Sequence, residues 1–437
     1  MPLKDLARVP IYFKRLTLEN VRCFGKMQSI KFLKPDGTVS FWNIIIGENG
    51  VGKTTVLRSL VVEAMPSWLD NIGTLFGFDY FRRDLNHDAL IASEFENIFK
   101  VGLSERINKK GKVIFSTIEK TDATGYDSRD ESENLQAQIP TKIVCFGYGA
   151  SRHISVSSMT ESKSNFRAMT LFNENTPLLN AEEWLVEIDY RATKSENGHY
   201  AERQQKVIAI LKKLFRGEVH DFKIDLEGKR PKAKFLTDYG WVNLHDLSLG
   251  YKTLIAWMTD FASRMFEEYP DSPDPLAEPA VVLVDEIDLH LHPQFQRELT
   301  SFLTETFPKT QFIVTAHSPL ILQSAPDANI ILLKKEGDHV VVEQNPHEIK
   351  NWRIDQLLTS DLYGLPSARP PQTEEKIQRR RSLLKKDKRT KKEETELDKL
   401  EEELVELPVG ETPEAIKAME IIQKAAKHYE KQQNGKD

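Results

Sequence analysis

The chain is short of several things, and each shortage removes a class of protein. Only two cysteines occur in 437 residues, Cys23 and Cys145. Both lie in apolar stretches (VRCF, IVCFG), so no disulfide framework is available and a reducing compartment is expected. No apolar run approaches the ~20 residues of a membrane-spanning helix, and the opening MPLKDLARVPIYFK has no apolar signal core. A cytoplasmic protein with no membrane partner is expected. Positive charge is not in excess: 60 Lys and Arg stand against 66 Asp and Glu, for a net charge of -6. That excludes a wholly basic nucleic-acid binder, although one basic patch would still be compatible with it. No repeat of fixed period is present, which sets solenoids aside. With 40% hydrophobic and 29% charged residues the chain reads as globular. It is long enough for one large domain with an appendage, or for two domains.

What is present begins with GENGVGKTT, residues 47–55, directly behind the apolar run FWNIII. Gly47 to Thr54 fits G-x-x-x-x-G-K-[ST] in full, between a strand pattern and a helix pattern, which is the context the motif requires. The glycines let backbone N–H groups face phosphates, and the helix N-terminus adds its positive end. Gly47, Asn49, Gly50, Gly52, Lys53, Thr54 and Thr55 are therefore candidate nucleotide-binding residues. ATP and Mg²⁺ are the expected cofactors, with Lys53 on the β- and γ-phosphates and the Thr54 hydroxyl on the metal. AVVLVDE (280–286) shows no alternation, as a strand buried on both faces should. Asp285 is the second expected Mg²⁺ residue, acting through water, and Glu286 the expected catalytic base. QFIVTAHS (311–318) reads as another buried strand ending in His317, placed to bond the γ-phosphate and orient the attacking water.

The remaining segments fall around this centre. IYFKRLTLENVRCFG, SIKF and 41–46 read as strands, and a helix runs from Lys53 towards Pro66. KKGKVIFSTIEK reads as one strand of a meander, TDATGYDSRDESENLQAQ as a loop, TKIVCFG as a buried strand entering the turn GYGASR, and 153–175 as a polar, mobile stretch. EEWLVEIDY and QQKVIAILKKLF carry helical spacing, with DFKIDL, AKFLT and WVNL as short strands behind them. A helix is expected over Thr253–Phe266, an amphipathic helix at QRELTSFLTETF, and a hairpin at IILLKKEGDHVVVE. Arg152 could serve near a nucleotide or lie at the surface. His290 and His292 could face one side of an extended segment, but with no third ligand in view an interface is favoured over a metal.

LTLENVRCFG, GENGVGKTT, LSLGYKTLIAW, VLVDEIDLHLHP and FIVTAHSPLIL follow the order of the ABC-type ATPases of the RecF, SMC and OLD group. The chain resembles that family over about residues 11–335. The resemblance implies an α/β fold: an ABC-type P-loop ATPase head with an antiparallel β subdomain, a helical insert and, in this chain, a C-terminal helical hairpin. The head would span 1–345, with a partly helical insert at 153–245, a linker at 346–373 and a tail at 374–437. It also implies that LSLGYK is the family signature, whose Ser248 and Gly250 would contact the nucleotide of a second copy in a head-to-tail homodimer or higher homo-oligomer. Leu249 and Tyr251 depart from the family's usual glycine and Gln or Glu. The glutamine that the family carries after the loop helix has no evident counterpart, since Gln136 and Gln138 precede TKIVCFG.

Long coiled-coil arms and a Toprim nuclease domain, carried by other branches of the group, find no room here. A head without its own nuclease resembles the Septu-type ATPases of anti-phage defence, which implies a separate effector protein such as an HNH nuclease. The rival readings are a RecF-like DNA-repair ATPase and a nucleotide-gated scaffold with little hydrolysis. The tail runs IQRRRSLLKKDKRTKK, then EETELDKLEEELVEL with Leu397, Leu400, Leu404 and Leu407 at heptad-like spacing. A return helix is expected after PVGETP, capped at Thr412, with Ile416, Met419, Ile422, Ala426 and Tyr429 as its stripe. This tail is either a solvated charged hairpin or a docking arm for nucleic acid or an acidic partner.

Overall fold

Alternation decides which strands face water, and its absence decides which are enclosed. The alternating Tyr12–Glu19 (β1) and Gln28–Lys31 (β2) pair antiparallel, while the unbroken apolar Trp42–Gly47 (β3) enters a different sheet. The first sheet continues from β1 into Ala89–Glu96 (β4) and Lys100–Ile107 (β5). Val113–Phe115 (β6) and Glu119–Thr121 (β7) both pair with β5, so KKGKVIFSTIEK contributes two short strands instead of one. The computed structural model describes residues 10–65, part of 81–121, 143–152, 167–194, 199–215, 219–227, 231–345 and, apart from 350, 351 and 387, 349–404. The expected loop at 121–138 beyond its first residue, most of the mobile stretch, Gln136, Gln138, Leu407 and the return helix with Thr412, Ile416, Met419, Ile422, Ala426 and Tyr429 lie outside these residues.

The central sheet has six strands. Beside β3 it contains Cys145–Tyr148 (β8), Ala280–Val284 (β12), Thr310–Thr315 (β13), Asn329–Glu336 (β14) and His339–Gln344 (β15), in the order β15-β14-β3-β13-β12-β8. Every pair from β14 to β8 is parallel, and β15 is added by an antiparallel hairpin turned at Gly337. Lys53–Ala64 forms α1. Its Val56, Leu57, Leu60 and Val61 are fully buried in one core with Phe13, Leu16 and Ile91 of the first sheet and Ile45, Leu283 and Ile313 of the central one. The helix is enclosed on most of its surface, polar Ser59 and Glu63 included, and each buried apolar side chain contributes roughly 1.5–3 kcal/mol. The sheets are also joined by amide hydrogen bonds: Gln311 exchanges two 2.8 Å bonds with the backbone of Phe13.

Beyond α1 come Met169–Phe172 (α2), Ala181–Lys194 (α3) and His199–Leu214 (α4), then a three-stranded antiparallel sheet of Val219–Asp225 (β9), Lys232–Thr237 (β10) and Gly240–Asn243 (β11). Leu249–Glu268 (α5) starts four residues before the helix expected at Thr253. Its Trp257 and Phe261 pack on Tyr148 and Phe146 of β8. The helix expected over QRELTSFLTETF forms at Leu299–Thr306 (α7), behind a separate short helix, Pro293–Gln296 (α6), and is followed by Pro319–Ser324 (α8) and Ile354–Leu358 (α9). Among the described residues no helix is long and apolar enough to cross a membrane.

The chain divides into two compact units, Met1–Leu357 and Leu358–Asp437. In the second unit the described residues form a hairpin ahead of the expected return helix. The basic run is itself a helix, Pro371–Leu384 (α10), and packs against Lys391–Leu404 (α11). Lys376, Arg379, Arg380 and Lys386 pair with Glu403, Glu396, Glu401 and Glu393. Charge segregated along the sequence is thus neutralised between helices, around buried Ile377, Leu383, Leu397 and Leu404.

Candidate functional site

Three parallel strands end level with one another. Val284 pairs with Val314, and Thr315 with Ile45, so the residues after β12 and β13 lie beside the loop after β3. Ligands of open α/β sheets bind at this carboxyl edge. Gly47, at φ 147°, passes so close to β14 that a Cβ would meet the Leu333 carbonyl oxygen at 2.5 Å. Gly52 caps α1 in the left-handed region, where a Cβ would meet Cys23 Sγ at 2.3 Å. Gly50 has open space around it and is required for its φ of 81° alone.

The loop meets the acids through hydroxyls. Thr54 Oγ1 donates to Asp285 Oδ2 at 2.7 Å, and Thr315 Oγ1 donates to Asp285 Oδ1 at 2.6 Å. The same Thr315 oxygen accepts from the Glu286 backbone N–H at 2.7 Å, so one hydroxyl aligns both acids. Lys53 is buried, and its ammonium donates to the carbonyls of Gly47 and Glu48 at 2.8 and 2.9 Å. Burial pulls its pKa down, against the opposing pull of Asp285, Glu286 and Asp288. A hydroxyl beside a carboxylate is a hard-oxygen donor set of the kind Mg²⁺ takes, and the glycine loop presents its backbone towards the same point, so the residues fit a magnesium nucleotide. Asn49 is exposed on the loop, and Thr55 follows Thr54 in the first turn of α1.

Glu286 is half-buried, with a left-handed φ of 49°. That conformation costs a non-glycine residue on the order of 1 kcal/mol. Its carboxylate takes no hydrogen bond among the described residues. His317 lies two residues beyond β13 rather than on it, with an exposed ring. Asp288 holds this turn by accepting from the backbone N–H groups of His317 at 3.1 Å and Ser318 at 2.7 Å. Gln296 accepts from the Ser318 hydroxyl and donates to the Leu291 carbonyl, tying the IDLHLHP segment to the His317 turn.

Arg152 is buried and belongs to the site. Its guanidinium donates to the carbonyls of Asp285, Glu286 (2.8 Å) and Gly149 (3.3 Å). Burial pushes its pKa down to about 10 despite the neighbouring carboxylates. Next to it, Tyr148 accepts from the Asp285 N–H through its carbonyl and donates through its hydroxyl to Asp260 of α5. The sequence reading missed Thr315, Asp288 and Asp260. The available signal was a polar residue inside an otherwise apolar run.

Ser248 and Gly250 stand apart from this cluster and share no hydrogen bond with residues 47–55 among the described residues. Ser248 is the exposed N-cap of α5, and its hydroxyl makes no cap hydrogen bond. Gly250 lies against the same chain, since a Cβ there would come 2.3 Å from the His290 carbonyl oxygen. Tyr251, which departs from the family pattern, packs on Phe215 in a tilted pair with centroids 4.9 Å apart. His290, at φ 64°, and His292 are exposed, and no group of three His, Cys, Asp or Glu among the described residues could hold a metal.

The family model described as "AAA domain, putative AbiEii toxin, Type IV TA system" matches residues 43–323. The "Septu protein PtuA" of Bacillus mycoides (strain KBAB4) is 28% identical over 371 residues, covering 82% of this chain and 46% of that protein. The chain therefore spans less than half the length of that relative. The "Retron Vc95 probable ATPase" of Vibrio cholerae serotype O1 biovar El Tor is 26% identical over 399 residues, 76% of each chain. Among solved structures, an SMC head bound to the C-winged-helix domain of ScpA aligns at a TM-score of 0.46 and 17% identity, over 76% of this chain and 97% of that one.

Proposed function

The chain belongs to this AAA-domain family, and from that premise we propose that it is an ATP hydrolase whose two copies close around Mg²⁺–ATP to gate a separate effector. The observation that carries the reading is the Thr54–Asp285–Thr315–Glu286 line of hydrogen bonds. It brings a hydroxyl–carboxylate pair, Thr54 and Asp285, and the unengaged Glu286 carboxylate to the mouth of the glycine loop, which supports a role for the pair in holding Mg²⁺. Bound Mg²⁺ would draw charge from the β- and γ-phosphate oxygens. Lys53 exchanges the loop carbonyls for those oxygens, and Gly47, Asn49, Gly50, Gly52 and Thr55 line the cradle. Glu286 accepts a proton from the attacking water, and His317 orients that water from the neighbouring turn.

Ser248 and Gly250 complete the site of the second copy. An exposed N-cap serine whose hydroxyl leaves its own helix N–H groups unserved is free to donate to an outside anion. ATP-driven dimerisation is then a population shift towards the closed state. A role in anti-phage defence is supported by the Septu and retron relatives, and the effector proposed for it is a separate protein such as an HNH nuclease.

Turnover and mass test the reading together. Glu286→Gln should lower kcat by about 10²–10³-fold while keeping ATP bound, and light scattering should then show twice the protomer mass. Equal turnover by the wild-type and Glu286→Gln chains would instead make the protein a nucleotide-gated scaffold. Salt-sensitive stimulation by duplex DNA would favour a RecF-like role, although four basic residues of the tail are already paired with glutamates.

A further inference from the structure

Arg152 has a placement that nucleotide binding does not require. A surface arginine would be solvated, and a phosphate-binding arginine would point its fork towards the loop. This one is buried at 4% exposure, and its fork takes the carbonyls of Asp285 and Glu286. Those are the two peptide groups that flank the Glu286 α-carbon.

In extended backbone, successive carbonyls point to opposite sides. A helical conformation of either hand turns them to the same side, where one planar fork can reach both. Glu286 has that conformation in its left-handed form, at φ 49°. The strained residue and the two-pronged arginine are therefore one arrangement. Left to itself, Glu286 would relax towards negative φ and swing its Cβ, and with it the carboxylate, to a new direction. Arg152 is itself fixed in place. Its N–H donates to the Ala150 carbonyl at 2.9 Å, and Nη1 reaches the Gly149 carbonyl. The turn behind it cannot slide, because a Cβ on Gly149 would already be 2.1 Å from the Thr170 carbonyl oxygen.

We propose that Arg152 is a positioning residue for hydrolysis, holding the backbone of Glu286 in the conformation that aims its carboxylate at the attacking water. The proposal rests on the assignment of Glu286 as the base. Arg152 does not touch the nucleotide and acts only through Glu286. A lysine, as a single point donor, cannot hold both carbonyls.

The experiment is steady-state ATP turnover by full-length wild type, Arg152→Gln, Arg152→Lys, Glu286→Gln and the Arg152→Gln/Glu286→Gln double variant, with circular dichroism and melting to establish folding. Misaiming a reacting group costs about 100-fold, so Arg152→Gln should lose about 100-fold in kcat with KM for ATP little changed. Arg152→Lys should not restore it, and the double variant should be no slower than Glu286→Gln alone. A merely structural arginine would shift KM and melting together, recover with lysine and add to Glu286→Gln; that pattern overturns the proposal. So does a folded Arg152→Gln chain with wild-type kcat, which leaves the ATPase reading intact. A wild-type chain without turnover overturns both. If Arg152→Gln does not fold, Arg152→Lys carries the test, and wild-type kcat there refutes the role.

Discussion

The two halves of the candidate site are built differently. The phosphate-loop half is internally bonded: Lys53, Thr54, Asp285, Thr315 and Arg152 each have a partner within the chain. The signature half is open. Ser248 is exposed, Leu249 is 57% exposed, and the nearest use of Gly250 is close packing on the His290 carbonyl. A site that pre-pairs its charges in one half and leaves a bare helix N-terminus in the other is suited to completion from outside. The comparison also separates two roles for glycine. Gly50 is there for backbone angle, whereas Gly250 is there for contact with its own chain, whatever it does for a second copy.

The largest expected effect falls on the bonded half. Lys53→Ala should reduce turnover by on the order of 10³-fold and abolish ATP binding by the protomer, as read by a fluorescent analogue. Retained binding would show that the loop does not hold the phosphates. On the open half, Ser248→Ala should keep protomer binding and melting temperature but lose dimer mass in the Glu286→Gln background, with turnover down about 10-fold. Full dimerisation of that variant would mean the halves never meet. Gly250→Ala separates the two uses of that glycine: the clash with His290 should destabilise by roughly 1–3 kcal/mol, whereas unchanged melting would assign the residue to the trans contact alone.

The smallest effect belongs to the second unit. The Glu393 carboxyl is held down to about 2 by the hydrogen bond from Lys386 and then by the Thr390 backbone. A depressed folded pKa stabilises above the ordinary value and loses that contribution as pH falls through the folded one. The protection of residues 371–404 against hydrogen exchange, taken relative to the intrinsic rate at each pH, should therefore fall as pH drops from 4.5 towards 2, and fall less in Glu393→Gln. Identical profiles would remove this contact from the hairpin's stability.

Much of the head was legible because its signals are local. Apolar runs without alternation became the parallel strands, and the turn residues of 47–55 can form little else. The register that brings Thr315 to Asp285 was not legible, nor was the burial of Arg152, since both depend on partners 30 and 133 positions away. In the tail, leucine spacing predicts the helix α11 and its stripe, but not that the basic run ahead of it forms a helix, α10, packed against it.

By itself the sequence determined the phosphate loop, the two acids behind their strand and the order of the head's elements, because backbone angle and hydrophobic period are written over a few residues at a time. Only the tertiary structure decided that an arginine from the turn after β8 sets the angle of Glu286 and that Tyr251 packs on Phe215, because a hydrogen bond or a ring contact depends on which distant segments the packed sheets bring within 3 to 5 Å.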